Sequence, residues 1–86
     1  LYIDSGKNIS YQRHKYRDEV WTIVKGKGIF VLDGIEKNVK ENDVLYIPRN
    51  SKHSIKAISN IEIVEVQLGE KFIEDDIERF EYKWKN

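Results

Sequence analysis

Two histidines and a carboxylate carry the chemistry this sequence can offer. His14 and His53 are its only histidines. Gln12, His14 and Tyr16 alternate, so in an extended strand all three point to one face. Glu19 follows a short charged bend and opens an apolar run, Val20 to Val24. His53 lies far along the chain, after Tyr46-Ile47-Pro48-Arg49-Asn50. Two histidines and a carboxylate delivered by two β-hairpins can converge inside a barrel. Imidazole with carboxylate suits a divalent metal. The plain reading of the same residues is a structural or surface histidine and an acid exposed at a strand start.

The elements that must position these groups read as short strands. Leu1 to Ile3, Ile9 to His14, Glu19 to Lys25, Ile29 to Leu32, Ile35 to Val39, Val44 to Ile47, His53 to Ile58 and Ile61 to Leu68 show period two or are rich in β-formers. Polar turns separate them. Asp33-Gly34 is a strong two-residue hairpin signal. Gly6 suits a turn needing positive φ, and Asn50 tolerates the left-handed region. Many short strands at regular spacing predict an all-β antiparallel sandwich or barrel in one domain over residues 1–86. The tail departs from the alternation. Ile73, Ile77 and Phe80 fall at helical spacing behind Glu74-Asp75-Asp76, which predicts one short C-terminal helix.

Composition narrows the function classes. The 86 residues carry 15 basic and 15 acidic side chains, a formal net charge of 0, so there is no basic footprint for nucleic acid or an anionic membrane. No apolar run is long enough to span a bilayer, and no signal-peptide pattern is visible. Cysteine is absent, which removes disulfides, thiolate nucleophiles and cysteine metal sites and fits a cytoplasmic setting. Methionine is absent too, so a trimmed chain or a piece of a longer one is expected. A small core makes oligomerisation a source of further stability, and the run Val20 to Val24 suggests a strand buried on both faces. A homodimer is the expectation.

The stretch Gln12 to Trp21 resembles the first cupin motif, and Pro48-Arg49-Asn50-Ser51-Lys52-His53 resembles the second. Within the cupins the chain is similar to the cupin domain of type II mannose-6-phosphate isomerases, usually fused behind a mannose-1-phosphate guanylyltransferase. Gln12, His14, Arg17, Glu19, Trp21, Gly26, Asp33-Gly34, Tyr46-Ile47-Pro48, His53, Glu65-Val66-Gln67 and Glu74-Asp75-Asp76-Ile77-Glu78-Arg79-Phe80 carry the likeness. It covers most of the chain, and the tail makes it specific to this branch. The departures fall around the site. Tyr16 stands where the pattern has a second histidine, Val20 where it has a third, Asn50 for a glycine, and Ala57 for a frequent asparagine.

The resemblance implies a small double-stranded β-helix, a jelly-roll barrel. It implies His14, Glu19 and His53 as ligands of a divalent ion such as zinc, nickel, manganese or iron. Arg17 matches the arginine linked to isomerase activity, and a guanidinium pairs bidentately with phosphate. Without the family, Arg17 reads as a solvated bend residue. Gln12 could bond substrate or a ligating side chain. Tyr16 reads as a neutral phenol lining the pocket, since phenolate needs strong help to form. Lys52 and Arg49 could add positive potential at the mouth. Glu65 and Gln67 alternate on one strand face and could point into the barrel. Trp21, Tyr46 and Phe30 read as core.

The reaction implied is interconversion of an aldose phosphate and a ketose phosphate, with Glu19 or Glu65 as the base, whichever is free of metal. Arg17 would hold the phosphate. No nucleotide-binding loop is present, so guanylyl transfer is not expected of this chain. Two other readings stand beside it. One is a non-catalytic cupin that binds a sugar or small molecule. The other is a different small cupin enzyme, such as an epimerase or an oxygenase.

Overall fold

The alternating segments become nine β-strands in a computed structural model that describes residues 1–86. In chain order they are β1 (Tyr2–Ile3), β2 (Tyr11–Arg13), β3 (Arg17–Lys25), β4 (Lys27–Leu32), β5 (Ile35–Lys40), β6 (Val44–Ile47), β7 (His53–Ala57), β8 (Ile61–Gly69) and β9 (Glu78–Phe80). They form a four-stranded sheet, β1-β8-β3-β6, and a five-stranded sheet, β5-β4-β7-β2-β9. Every pairing is antiparallel. The two sheets face each other across one core, the layout of a jelly-roll barrel.

That core follows from the period of two. Trp21 and Ile23 of β3, Leu45 and Ile47 of β6, and Ile61 and Ile63 of β8 point inward from one sheet. Phe30 of β4 and Ile55 and Ala57 of β7 meet them from the other. Trp21 and Phe30 meet edge to face at 6.0 Å, a favoured aromatic arrangement.

Turn chemistry sets the registers. Asp33 and Gly34 both have positive φ, 46° and 81°, as a type I′ turn requires, and Leu32 pairs with Ile35 across it. Gly26 makes the corner where the chain leaves one sheet for the other. Its φ is 89°, and a Cβ there would lie 2.1 Å from the Asn60 carbonyl oxygen. Asn50 adopts the left-handed conformation at φ 69°, as its residue type allows.

Three expectations are corrected. Residues 74–80 form no helix; a turn at Glu74–Asp75 leads into β9, which pairs with β2 through Tyr11–Phe80, Gln12–Arg79 and Arg13–Glu78. The physical reason is the open edge of β2. Its backbone groups take a strand partner, and the Arg13–Glu78 ion pair at 3.1 Å holds the register. Second, Val20 to Val24 is buried on one face only. Trp21 and Ile23 are sealed in the core, while Val24 is exposed. Third, Tyr46 is no core residue, because on β6 the inward positions are Leu45 and Ile47 and Tyr46 points outward.

Candidate metal centre

Three elements deliver the cluster. His14 follows the last residue of β2, Glu19 sits in β3, and His53 opens β7. Gln12 is directly opposite His53 in the β2–β7 ladder, so the two share a face, and His14 continues that face two residues on. Glu19 is inward by the same alternation that buries Trp21 and Ile23. One ligand atom from each of His14, Glu19 and His53 lies within 4.8 Å of the others. The His14 and His53 rings are 5.3 Å apart, and His14 Nδ1 is 3.7 Å from Glu19 Oε2. All three are removed from solvent: 3% exposed at His14, 3% at Glu19 and 0% at His53.

Glu19 is the electrostatic hinge of the site. Its Oε1 accepts the indole N–H of Trp21 at 2.9 Å, and its Oε2 accepts Arg17 Nε at 2.9 Å. A buried carboxylate requires such partners. Arg17, Glu19 and Trp21 occupy alternate positions of β3, so the spacing puts all three side chains on one face.

Burial favours the neutral form of both histidines. Burial lowers the His14 pKa, with the Glu19 charge working the other way. Burial lowers the His53 pKa as well, against a smaller pull from the Ser51 carbonyl. His53 Nδ1 lies 3.1 Å from that carbonyl oxygen, so Nδ1 carries the proton and Nε2 keeps its lone pair. Nε2 is buried with no hydrogen-bond partner in the chain. A neutral imidazole with an oriented, unshared lone pair beside a carboxylate is a donor set that fits a divalent cation.

The remaining candidate residues take varied places. Gln12 is half-buried, and its Oε1 accepts the Ser10 hydroxyl at 2.7 Å. Tyr16 is 44% exposed with its ring under the Lys71 ammonium at 5.3 Å, outside the cluster. Lys52 places its ammonium over Phe80, 4.2 Å from the ring centroid, and Arg49 pairs with Asp18. Glu65 lies on β8 opposite Trp21 and keeps solvent contact. Partial burial nonetheless pushes its carboxyl up, and the Glu19 charge adds to this. Gln67 is opposite Glu19 on the same strand.

Two contributors escaped the sequence reading. Ser51 orients His53 through its backbone, which no side-chain pattern signals. Asp76 is buried, and its carboxylate accepts the backbone N–H of Lys15 at 2.7 Å and of Tyr16 at 3.0 Å. Burial alone would raise the Asp76 carboxyl, but these two bonds outweigh it and hold it below its usual range. They fix the bend between His14 and Arg17. In sequence Asp76 looks like a helix-start acid, and its partners are some sixty residues away.

Comparison with known proteins agrees with this architecture. Residues 1–82 match the family described as mannose-6-phosphate isomerase C-terminal. The mannose-1-phosphate guanylyltransferase of Salmonella montevideo is 38% identical over 84 residues, covering 95% of this chain and 18% of that protein. The alginate biosynthesis protein AlgA of Pseudomonas putida is 40% identical over 81 residues, covering 92% of this chain and 17% of the relative. The chain therefore spans under a fifth of the length of these relatives. Among solved structures, a cupin protein from Bacteroides fragilis superposes with a TM-score of 0.72 at 25% identity, covering 85% of this chain and 64% of that one. Oxalate decarboxylase from Bacillus subtilis gives 0.81 at 23% identity, covering 91% of this chain and 22% of that one, a likeness of fold.

Proposed function

The chain belongs to the mannose-6-phosphate isomerase C-terminal family, and from that membership we propose that it is a metal-assisted cupin that interconverts an aldose phosphate and a ketose phosphate. The observation that carries this reading is the buried trio His14, Glu19 and His53, with the lone pair of His53 Nε2 unshared. These three residues would hold a divalent ion. When bound, such an ion supplies a Lewis acid for a carbonyl oxygen.

The chain's own residues divide the remaining work. Both Glu19 oxygens already accept hydrogen bonds, from Trp21 and Arg17. Glu19 is thereby suited to a fixed ligand and ill suited to proton transfer. Glu65 is the better base: partial burial and then the Glu19 charge raise its carboxyl, none of the hydrogen bonds that hold Glu19 engage it, and it meets solvent. It would take the proton from the carbon beside the carbonyl and return it to the former carbonyl carbon through an enediol, while a second proton passes from the neighbouring hydroxyl oxygen to the former carbonyl oxygen. Arg17 spends only Nε on Glu19, which leaves its terminal nitrogens for the substrate phosphate.

Turnover of mannose 6-phosphate by protein loaded with zinc, nickel, manganese or iron tests the proposal. Glu65→Gln should abolish turnover while metal binding survives. A protein that binds metal and sugar phosphate but does not interconvert the aldose and ketose phosphates would defeat it. The second reading, a binding cupin without catalysis, would then apply. It draws on the Tyr16 ring, which lies outside the cluster and leaves three protein ligands.

A further inference from the structure

The chain has four arginines, and three of them are engaged by carboxylates. Arg13 pairs with Glu78, Arg17 with Glu19 and Arg49 with Asp18. Arg79 sits among acids in sequence, with Glu74, Asp75, Asp76 and Glu78 before it and Glu81 after it, and is paired with none of them. Glu78 is turned to Arg13 and Lys15, and Asp76 holds the Lys15 and Tyr16 N–H groups.

The register of β9 explains this isolation. Arg79 pairs with Gln12, Gln12 with His53, and His53 with Leu32. Residues directly opposite in an antiparallel ladder share a face. The four therefore form one row on the inner side of the five-stranded sheet, where His53 is buried and Leu32 packs against the core. Glu78 and Phe80, on either side of Arg79, take the outer side with Arg13. Neighbouring strands lie about 4.8 Å apart, so the Arg79 backbone stands ~10 Å from that of His53, with Gln12 between them. The barrel is open in front of this row. β1 lines β8 only as far as Ile63, and β9 is the edge of its own sheet. Glu65 and Gln67 continue the inward alternation of Ile61 and Ile63, yet both are exposed, as is Arg79.

We propose that Arg79 binds the substrate phosphate, as a second guanidinium brought to that group from the sheet facing Arg17. The identity of the substrate rests on the isomerase reading above. A phosphate has oxygens enough for two guanidinium forks, and Arg79 has no carboxylate to give up first. A sugar phosphate with its carbonyl end at the His14–Glu19–His53 cluster lies along the row. Gln12 gives its Oε1 to Ser10, which leaves its amide N–H groups for a sugar hydroxyl between His53 and Arg79. The plainer role of an inward charge on an edge strand is to discourage edge-to-edge pairing. Glutamate would serve that role as well as arginine, so charge reversal separates the two.

Titration calorimetry of the zinc-loaded chain with mannose 6-phosphate and with mannose tests this, beside steady-state kinetics. Arg79→Gln should weaken binding of mannose 6-phosphate, and raise its KM, by about 10–100-fold, the effect of losing a charge-assisted contact. Arg79→Glu should weaken it further, and binding of mannose should not follow. Wild-type affinity in either variant would overturn the proposal, and so would equal losses for mannose and its phosphate. Either result leaves the isomerase reading standing if the wild-type chain turns mannose 6-phosphate over. A wild-type chain that binds mannose 6-phosphate without turnover defeats the isomerase reading alone, and the same calorimetry still decides the role of Arg79. A wild-type chain that does not bind it overturns both. Should the glutamine and glutamate variants fail to fold by circular dichroism, Arg79→Lys decides. It keeps the charge without the fork and should bind several-fold more weakly, and wild-type affinity would overturn the proposal.

Discussion

The indole N–H of Trp21 donates to Glu19 Oε1 at 2.9 Å, two residues back along β3, with both side chains buried. This bond fixes the carboxylate rotamer within the cluster. Trp21→Phe keeps most of the packing against Phe30 and His53 but leaves a charged oxygen unpaired. The expected cost is about 1.5–3 kcal/mol in urea unfolding. Metal affinity should fall by about 10–100-fold, the usual effect of losing a group that orients a ligand. Titration calorimetry with zinc checks the second number.

The histidines and Tyr16 should behave differently. His14→Ala removes one of the three proposed ligands and should weaken divalent binding beyond the ~100-fold of an outer partner. Tyr16→Phe should change it little, since the ring is turned towards Lys71. Metal content after identical loading and dialysis separates the two. Equal occupancy in His14→Ala and wild type would mean the histidines hold no metal.

Asp76 should matter to a site it does not enter. Asp76→Ala frees the Lys15 and Tyr16 N–H groups and loosens the bend that joins His14 to Arg17. A stability loss of about 1.5–3 kcal/mol is expected from two bonds to one carboxylate. A weaker metal site should accompany it. A shift in the urea midpoint with metal affinity unchanged would show that the bend does not position His14.

The tail should detach in acid. Glu36 is held at about 2, against an ordinary 4.5, first by the Tyr82 hydroxyl and then by the Lys85 and Asn86 groups. A lowered folded-state pKa stabilises the attached tail above pH 4.5, and that contribution fades as the pH falls from 4.5 through 2. Trp84, packed under Lys56, reports the release by fluorescence. Tyr82→Phe removes the largest cause, so its transition should move up towards 4.5.

Much of the fold was legible because β-structure writes itself locally. Alternation marked the strands, and Asp33-Gly34 announced its hairpin, since only such residues take positive φ at both turn positions cheaply. The tail was misread for a physical reason. Ile73, Ile77 and Phe80 have helical spacing, but what decides their conformation is the open edge of β2, which lies far away in sequence. Local pattern carries no record of a distant unpaired backbone.

The sequence by itself determined which groups could do chemistry. It held two histidines, a strand with Arg17, Glu19 and Trp21 on one face, and no cysteine to offer another donor set. Only the tertiary structure decided how they are used. Burial lowers the pKa of both imidazoles, the Ser51 carbonyl selects which His53 nitrogen keeps its lone pair, and Asp76 reaches across from the tail to set the bend. It also turned Tyr16 outward and left one valine-rich sheet face open while the tail covered the other. Desolvation and hydrogen-bond geometry depend on what packs against a group, and those neighbours come from other strands.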